Sequence, residues 1–439
     1  MADGAVGNRW CKVVGAIAVQ LCLGAIYAWS VFTPSLTRVA EEGGIYCFTA
    51  KQAAWIFSVG LAVFAVVMVV AGRLQARIGP RKVCLLGGIV LGVGYILGGV
   101  FGGTFAAQLI FIGVIGGAGI GLAYVVPIAV GVKWFPDKKG MISGLAVAGF
   151  GFGATLWVKA AGSWFHLIEK NLFGLPEVQG VFVLYGIAFL VIVALGSIAM
   201  VNPPPGWKPQ GWEPPSQTDA KAAASGGTDF DSATMKRTPQ FYMLWVMFIF
   251  SALAGLMVIY CIKLFGIDAL HYRGMDVAAA STVAGTAMAA YAILNGLGRI
   301  VWGSMSDKIG RKSALTAMCI FQGAIMLLFY SLGGTAAGLI VAACIIGFNF
   351  GGNFALFPAA TADFFGNKTV GVNYGWVFTA YGIAGIAGPQ IAGYFKDAAK
   401  GAETPAAWLT PFVIAGVVCL LAGVIGLLLR PPRRAASAG

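Results

Sequence analysis

Arg299 is a permanent cation set inside an apolar stretch, STVAGTAMAAYAILNGLGRIVWG (residues 281–303), and the sequence places no carboxylate in the interior of any hydrophobic run to neutralise it. A charge at such depth costs on the order of 2.5–3.5 kcal/mol on insertion scales, so it calls for a partner. Where the chain supplies none, an anionic ligand fills the role, because a guanidinium offers a planar fork to the two oxygens of a carboxylate. Counting ~1.5 Å per helical residue from the ends of the hydrophobic runs brings Gln20, Tyr124, Arg299, Asn353 and Tyr381 to a common depth of roughly 12–15 Å. Asn295 and Asn349 lie one turn deeper, on the faces of Arg299 and Asn353 respectively. One guanidinium among neutral amides and phenols suits a small carboxylate anion. The structural alternative is hydrogen bonding between helices, with Arg299 paired to a distant acid such as Asp363.

The elements that must position this layer follow from composition. A chain of 439 residues with 59% hydrophobic and 10% charged side chains is not a soluble globular protein. Apolar runs of roughly 20 residues recur about twelve times. They are expected at 11–33, 53–72, 83–103, 106–132, 141–165, 179–201, 240–265, 279–303, 313–333, 337–361, 371–395 and 407–430. Runs of this length in a bilayer must be helices, so the expected class is an all-α membrane protein of twelve transmembrane helices. The first run, preceded by Arg9 and Lys12, reads as a retained helix and not a signal peptide.

Of the 29 Lys and Arg, about 20 fall on the side of the two termini and about 7 on the other. Both termini are therefore expected in the cytoplasm of a bacterial-type plasma membrane. The net charge of +13 becomes a topology signal, with the lipid bilayer and no nucleic acid as partner. The eight cysteines form no CxxC pair, GNKT at 366–369 lacks the spacing of a phosphate loop, and only two histidines are present. No metal, cofactor or enzymatic constellation is expected.

An internal repeat at an offset of 231 residues pairs Gly72, Arg77 and Gly79 with Gly303, Lys308 and Gly310, and Gly116, Gly121 and Pro127 with Gly347, Gly352 and Pro358. Six spans thus recur as six more in the same orientation. The expected units are residues 1–201 and 239–439, joined by a Pro-, Gly- and Ser-rich cytoplasmic linker, 202–238. A parallel six-plus-six repeat is the plan of major facilitator carriers. The loop GSMSDKIGRK, with Gly303, Asp307, Lys308 and Arg311, resembles that superfamily's signature and reads as a gate brace. Its N-terminal counterpart, GRLQARIGPRK, has Ala76 in place of the Asp and reads as having Pro80 inserted before Arg81.

The phrases GNRW, LGAIYAWSVF, KWFPDKKGMISG, RTPQFYMLW and NYG after DFFG together resemble the oxalate/formate antiporter family, which includes proton-linked monocarboxylate carriers. The resemblance spans nearly the whole chain and implies a secondary carrier of small organic anions working by alternating access, functional as a monomer. Oxalate exchangers of that family carry a Lys at the position of Tyr381, so a single cation here implies a monoanion such as lactate, pyruvate or formate. Animal-type monocarboxylate carriers have an acid where this chain has Asn295, which argues against a proton relay there. Coupling to protons is the first expectation, with His271, Asp276 and Asp268 as candidates near span ends. Obligatory carboxylate exchange and a non-transporting anion sensor are the alternatives. Lys159 and Lys263 are placed to snorkel at the external interface or to guide anions.

Overall fold

The computed structural model describes residues 8–211, 229–398 and 404–432, so the linker segment 212–228 and the C-terminal tail lie outside the described residues. Among the described residues the regular structure is entirely helical. Twelve long helices follow in order. The first six are α1 Trp10–Ala28, α2 Ala50–Ile78, α3 Pro80–Phe101, α4 Phe105–Trp134, α5 Lys139–Lys159 and α6 Glu177–Ser197. The last six are α7 Pro239–Tyr272, α8 Val277–Ile309, α9 Arg311–Leu332, α10 Ala336–Phe365, α11 Val370–Ala398 and α12 Leu409–Leu428. Eleven are long and apolar enough to cross a bilayer; α11, with 29 residues, matches them in length and carries more polar groups, Asn373, Tyr374 and Tyr381 among them.

The expected spans recur with shifted ends. The seventh runs to Tyr272, so Asp268 and His271 sit on its last turns and not in a loop. The eighth continues to Ile309 and carries Asp307 on helix. The two signature loops make the same turn, with Gly79 at φ 88° and Gly310 at φ 87°, a left-handed region that favours glycine. Pro80 is therefore no insertion. It is the first residue of α3, in register with Arg311 at the start of α9, a position where its missing N–H costs nothing.

α3 packs on α6 and α9 on α12, while α8 packs on α10. The outer helices turn large apolar side chains outward, such as Ile89, Val191, Phe321 and Val424, as a lipid-facing surface requires. Contact between the first six helices and the last six runs chiefly along two seams, α5 on α8 and α2 on α11, with α5 also on α10 and α4 on α11. The α5 seam is built on glycine. A Cβ on Gly140 would lie 2.4 Å from the Gly303 carbonyl oxygen, and one on Gly144 only 2.0 Å from that of Arg299. Small residues at a spacing of four let the two backbones meet.

The phrases that carry the family resemblance meet in space. Arg9 of GNRW forks onto the Asp137 carboxylate of KWFPDKK, at 2.9 and 3.2 Å, and stacks over Phe135. Thr238 caps α7 by accepting from the Phe241 N–H, and Trp245 Nε1 donates to Thr379 on α11. Asn373 of NYG donates to the Phe230 carbonyl at the end of the linker.

Candidate functional site

Arg299 is fully buried where α8 faces α5 and α10. Its Nε donates to Asn295 Oδ1 at 2.9 Å, one turn earlier on α8, and its Nη1 donates to the Val147 carbonyl of α5 at 2.9 Å. The guanidinium carbon stands 4.1 Å from the Phe354 ring centroid and 5.3 Å from that of Phe150, each an attraction between cation and ring face. Nη2 has no partner. Among the described residues no carboxylate contacts this group. Asp363, the acid that could have neutralised it, is instead held by Arg311 Nε at 2.7 Å and Lys139 Nζ at 3.1 Å. The charge is therefore held in place by neutral acceptors and aromatic faces and remains electrostatically uncompensated.

Several of the surrounding polar atoms have no partner. Asn295 Nδ2, Asn349 Nδ2 and the Tyr124 and Tyr374 hydroxyls are buried and unpartnered, and Tyr124 lies against Arg299. Asn353 spends its amide on the Phe350 carbonyl at 3.1 Å and leaves Oδ1 free. Gln20 donates to the Tyr124 carbonyl at 3.2 Å, tying α1 to α4 without touching Arg299. Of the seven residues in the expected layer, Arg299, Asn295 and Tyr124 thus come together, while Gln20 leaves its Oε1 buried without a partner. The Tyr381 hydroxyl is hydrogen-bonded to that of Tyr27, joining α11 to α1.

Tyr27 was not among the expected site residues. It lies in a 3-10 turn, Gly24–Ala28, that interrupts the first helix, and Gly24 abuts the Phe150 carbonyl there. On the face opposite the termini, a cavity of about 430 Å³ opens between Thr33, Thr37, Ala54, Phe57, Ile267 and Ser281 and reaches down to Tyr27. Below Tyr27 a neck of about 20 Å³, bounded by Tyr291 and Asn295, has room for about one water molecule. Tyr27 and its bond to Tyr381 therefore stand between the open vestibule and the Arg299 layer.

The face bearing the termini is shut. Asp307 accepts from the Gly140 N–H at 3.0 Å and the Met141 N–H at 2.8 Å, the free donors in the first turn of α5. Arg311 binds both Asp307 and Asp363, each at 2.7 Å, and Gly303 is the close-contact residue beside them. Lys308 is exposed. The coupling candidates lie elsewhere. Asp268 binds Lys396 and Trp408, Asp276 caps α8 through the Ala278 and Ala279 N–H groups, and exposed His271 faces the Met275 carbonyl at 3.0 Å.

Known proteins share this plan. The Major Facilitator Superfamily profile matches residues 21–389 and 269–439. An uncharacterised MFS-type transporter of Escherichia coli, YhjX, is 30% identical over 86% of this chain and 86% of its own. The oxalate:formate antiporter of Oxalobacter formigenes is 26% identical over 98% of this chain and 93% of its own. Apicoplast pyruvate carrier 1 of Toxoplasma gondii is 26% identical over 84% and 81%. The E. coli fucose:proton symporter superposes with a TM-score of 0.62 at 15% identity, covering 94% of this chain and 98% of that one. With its twelve helices and its family-wide match, the chain belongs to the major facilitator superfamily and is a multi-pass membrane transporter, not an enzyme.

Proposed function

We propose that this protein is a secondary carrier of small monocarboxylates of the lactate, pyruvate or formate type, in which the substrate carboxylate is the counter-ion of Arg299. The observation that carries the reading is the fully buried, unpartnered Nη2 of Arg299 beside the free donors of Asn295 and Tyr124. Such an array has donor capacity to satisfy and no protein acid to accept from it. Relatives named for oxalate, formate and pyruvate support the substrate class. Tyr381, a neutral phenol, leaves one fixed cation in the layer and favours a monoanion over oxalate.

The units 1–201 and 239–439 rock against each other about this layer. In the state seen here the face bearing the termini, assigned to the cytoplasm, is latched by Asp307 of α8 holding the start of α5, and the opposite face is open. Binding at Arg299 requires Tyr27 to swing from the neck. After the vestibule collapses around the anion, breaking the Asp307 and Asp363 contacts opens the cytoplasmic face.

Proton-linked uptake remains one coupling mode. Obligatory exchange gains support from geometry, because His271, Asp276 and Asp268 all have partners remote from Arg299. The test is uptake of labelled L-lactate, pyruvate and formate by proteoliposomes. Uptake driven by an inside-alkaline gradient without preloading identifies symport; uptake only into vesicles preloaded with a second carboxylate identifies exchange. No flux of any of these anions under either condition would overturn the carrier reading.

A further inference from the structure

A second cavity, of about 150 Å³, adjoins Tyr27 and is lined by Thr155 and Lys159 from α5 and Lys263 from α7, against otherwise apolar walls that include Val158 and Ala292. Three features set it apart from a surface where lysines merely reach for the membrane interface. The two ammonium-bearing side chains come from opposite six-helix units yet line one cavity. Neither makes an ion pair or hydrogen bond among the described residues. The Thr155 hydroxyl, one turn before Lys159 on the same helix face, is buried with no partner. The nearest acid along α7, Asp268, is engaged by Lys396 and Trp408.

We infer that Thr155, Lys159 and Lys263 form an outer station that captures a small carboxylate from the open face before it passes Tyr27 to Arg299. This rests on the carrier reading above and adds a second anion site to it. Two ammonium groups in a cleft with low-dielectric walls concentrate anions, and unlike the buried guanidinium they stay hydrated and release them readily. Lys263 also lines the main vestibule, so the station lies on the path inward. Because its lysines belong to different units, closing of the vestibule changes their separation, which couples occupancy of the station to the rocking motion.

The test compares initial rates of labelled L-lactate or formate transport in right-side-out and inside-out membrane vesicles, for wild type and the double variant Lys159→Gln/Lys263→Gln. At low ionic strength the double variant should raise KM from the vestibule face roughly tenfold, with the effect on KM and not on Vmax. Added salt should shrink the difference, because screening weakens the wild-type attraction. KM from the opposite face should not move, and Lys159→Arg/Lys263→Arg should restore the wild-type value. Flux with an unchanged KM, or an equal KM shift on both faces, would overturn the station while leaving the Arg299 reading intact. Absence of any Arg299-dependent flux in wild-type vesicles would overturn both.

Discussion

At the residue scale, the proposed site turns on one cation whose protein contacts are all neutral. Asn295 Oδ1, the Val147 carbonyl and the rings of Phe150 and Phe354 orient the guanidinium, yet none cancels its charge. The pairing of Arg299 with Asn295 was legible in the sequence, since charge in an apolar run and spacing of four are both one-dimensional signals. Tyr27 escaped because the same depth count puts it about 22 Å from Lys12, beyond the layer defined by Arg299. Its bond to Tyr381 spans 354 residues, which no local pattern encodes. That pair yields a selectivity prediction. Tyr381→Lys adds a second cation on the path to Arg299, and a gain of about 1.4 kcal/mol for a dianion would raise the oxalate-to-lactate transport ratio about tenfold. Competition between the two anions in proteoliposomes measures it, and an unchanged ratio would refute selection by charge count.

At the element scale, helices α5 and α8 do most of the positioning. Their glycine seam brings the Arg299 backbone against Gly144, and the start of α5 is capped by Asp307 from α8. The signature loop and the glycines were legible in the repeat. Which helix the Asp307 carboxylate would cap was not, because that partner lies 166 residues away in sequence. Loss of a helix cap costs about 1 kcal/mol, or roughly fivefold in an equilibrium. Asp307→Ala should therefore depopulate the vestibule-open state by that factor. Labelling of a cysteine introduced at Ser281 by an impermeant maleimide, in a Cys47→Ser background, should slow accordingly; unaltered labelling would show that the cap does not bias the conformation. Gly144→Val acts differently, since its side chain collides with the Arg299 carbonyl. It should hold α5 away from α8 and abolish transport with folding retained, as judged by size-exclusion behaviour in detergent.

At the scale of the whole molecule, the helix count and the charge asymmetry of the loops were readable because the bilayer imposes each on the chain as a sequence pattern, and the repeat was readable as self-similarity at a fixed offset. The conformational state was not readable: one sequence must support both openings, so nothing in it favours the latched arrangement of Lys139, Arg311, Asp307 and Asp363. Rocking requires that latch to open. Lys139→Cys combined with Asp363→Cys, cross-linked by a short bifunctional reagent that a reductant can cleave, should arrest flux, and reduction should restore it. Undiminished flux in the cross-linked protein would rule out opening of this face.

The most direct test of the central claim is transport by Arg299→Ala at matched reconstitution, with labelled L-lactate, pyruvate and formate each offered to vesicles preloaded with the same anion. If the substrate carboxylate is the counter-ion of Arg299, removing the guanidinium forfeits at least about 2 kcal/mol and exchange falls roughly thirtyfold or more for every anion moved by the wild type. Exchange at the wild-type rate in that variant would contradict the account.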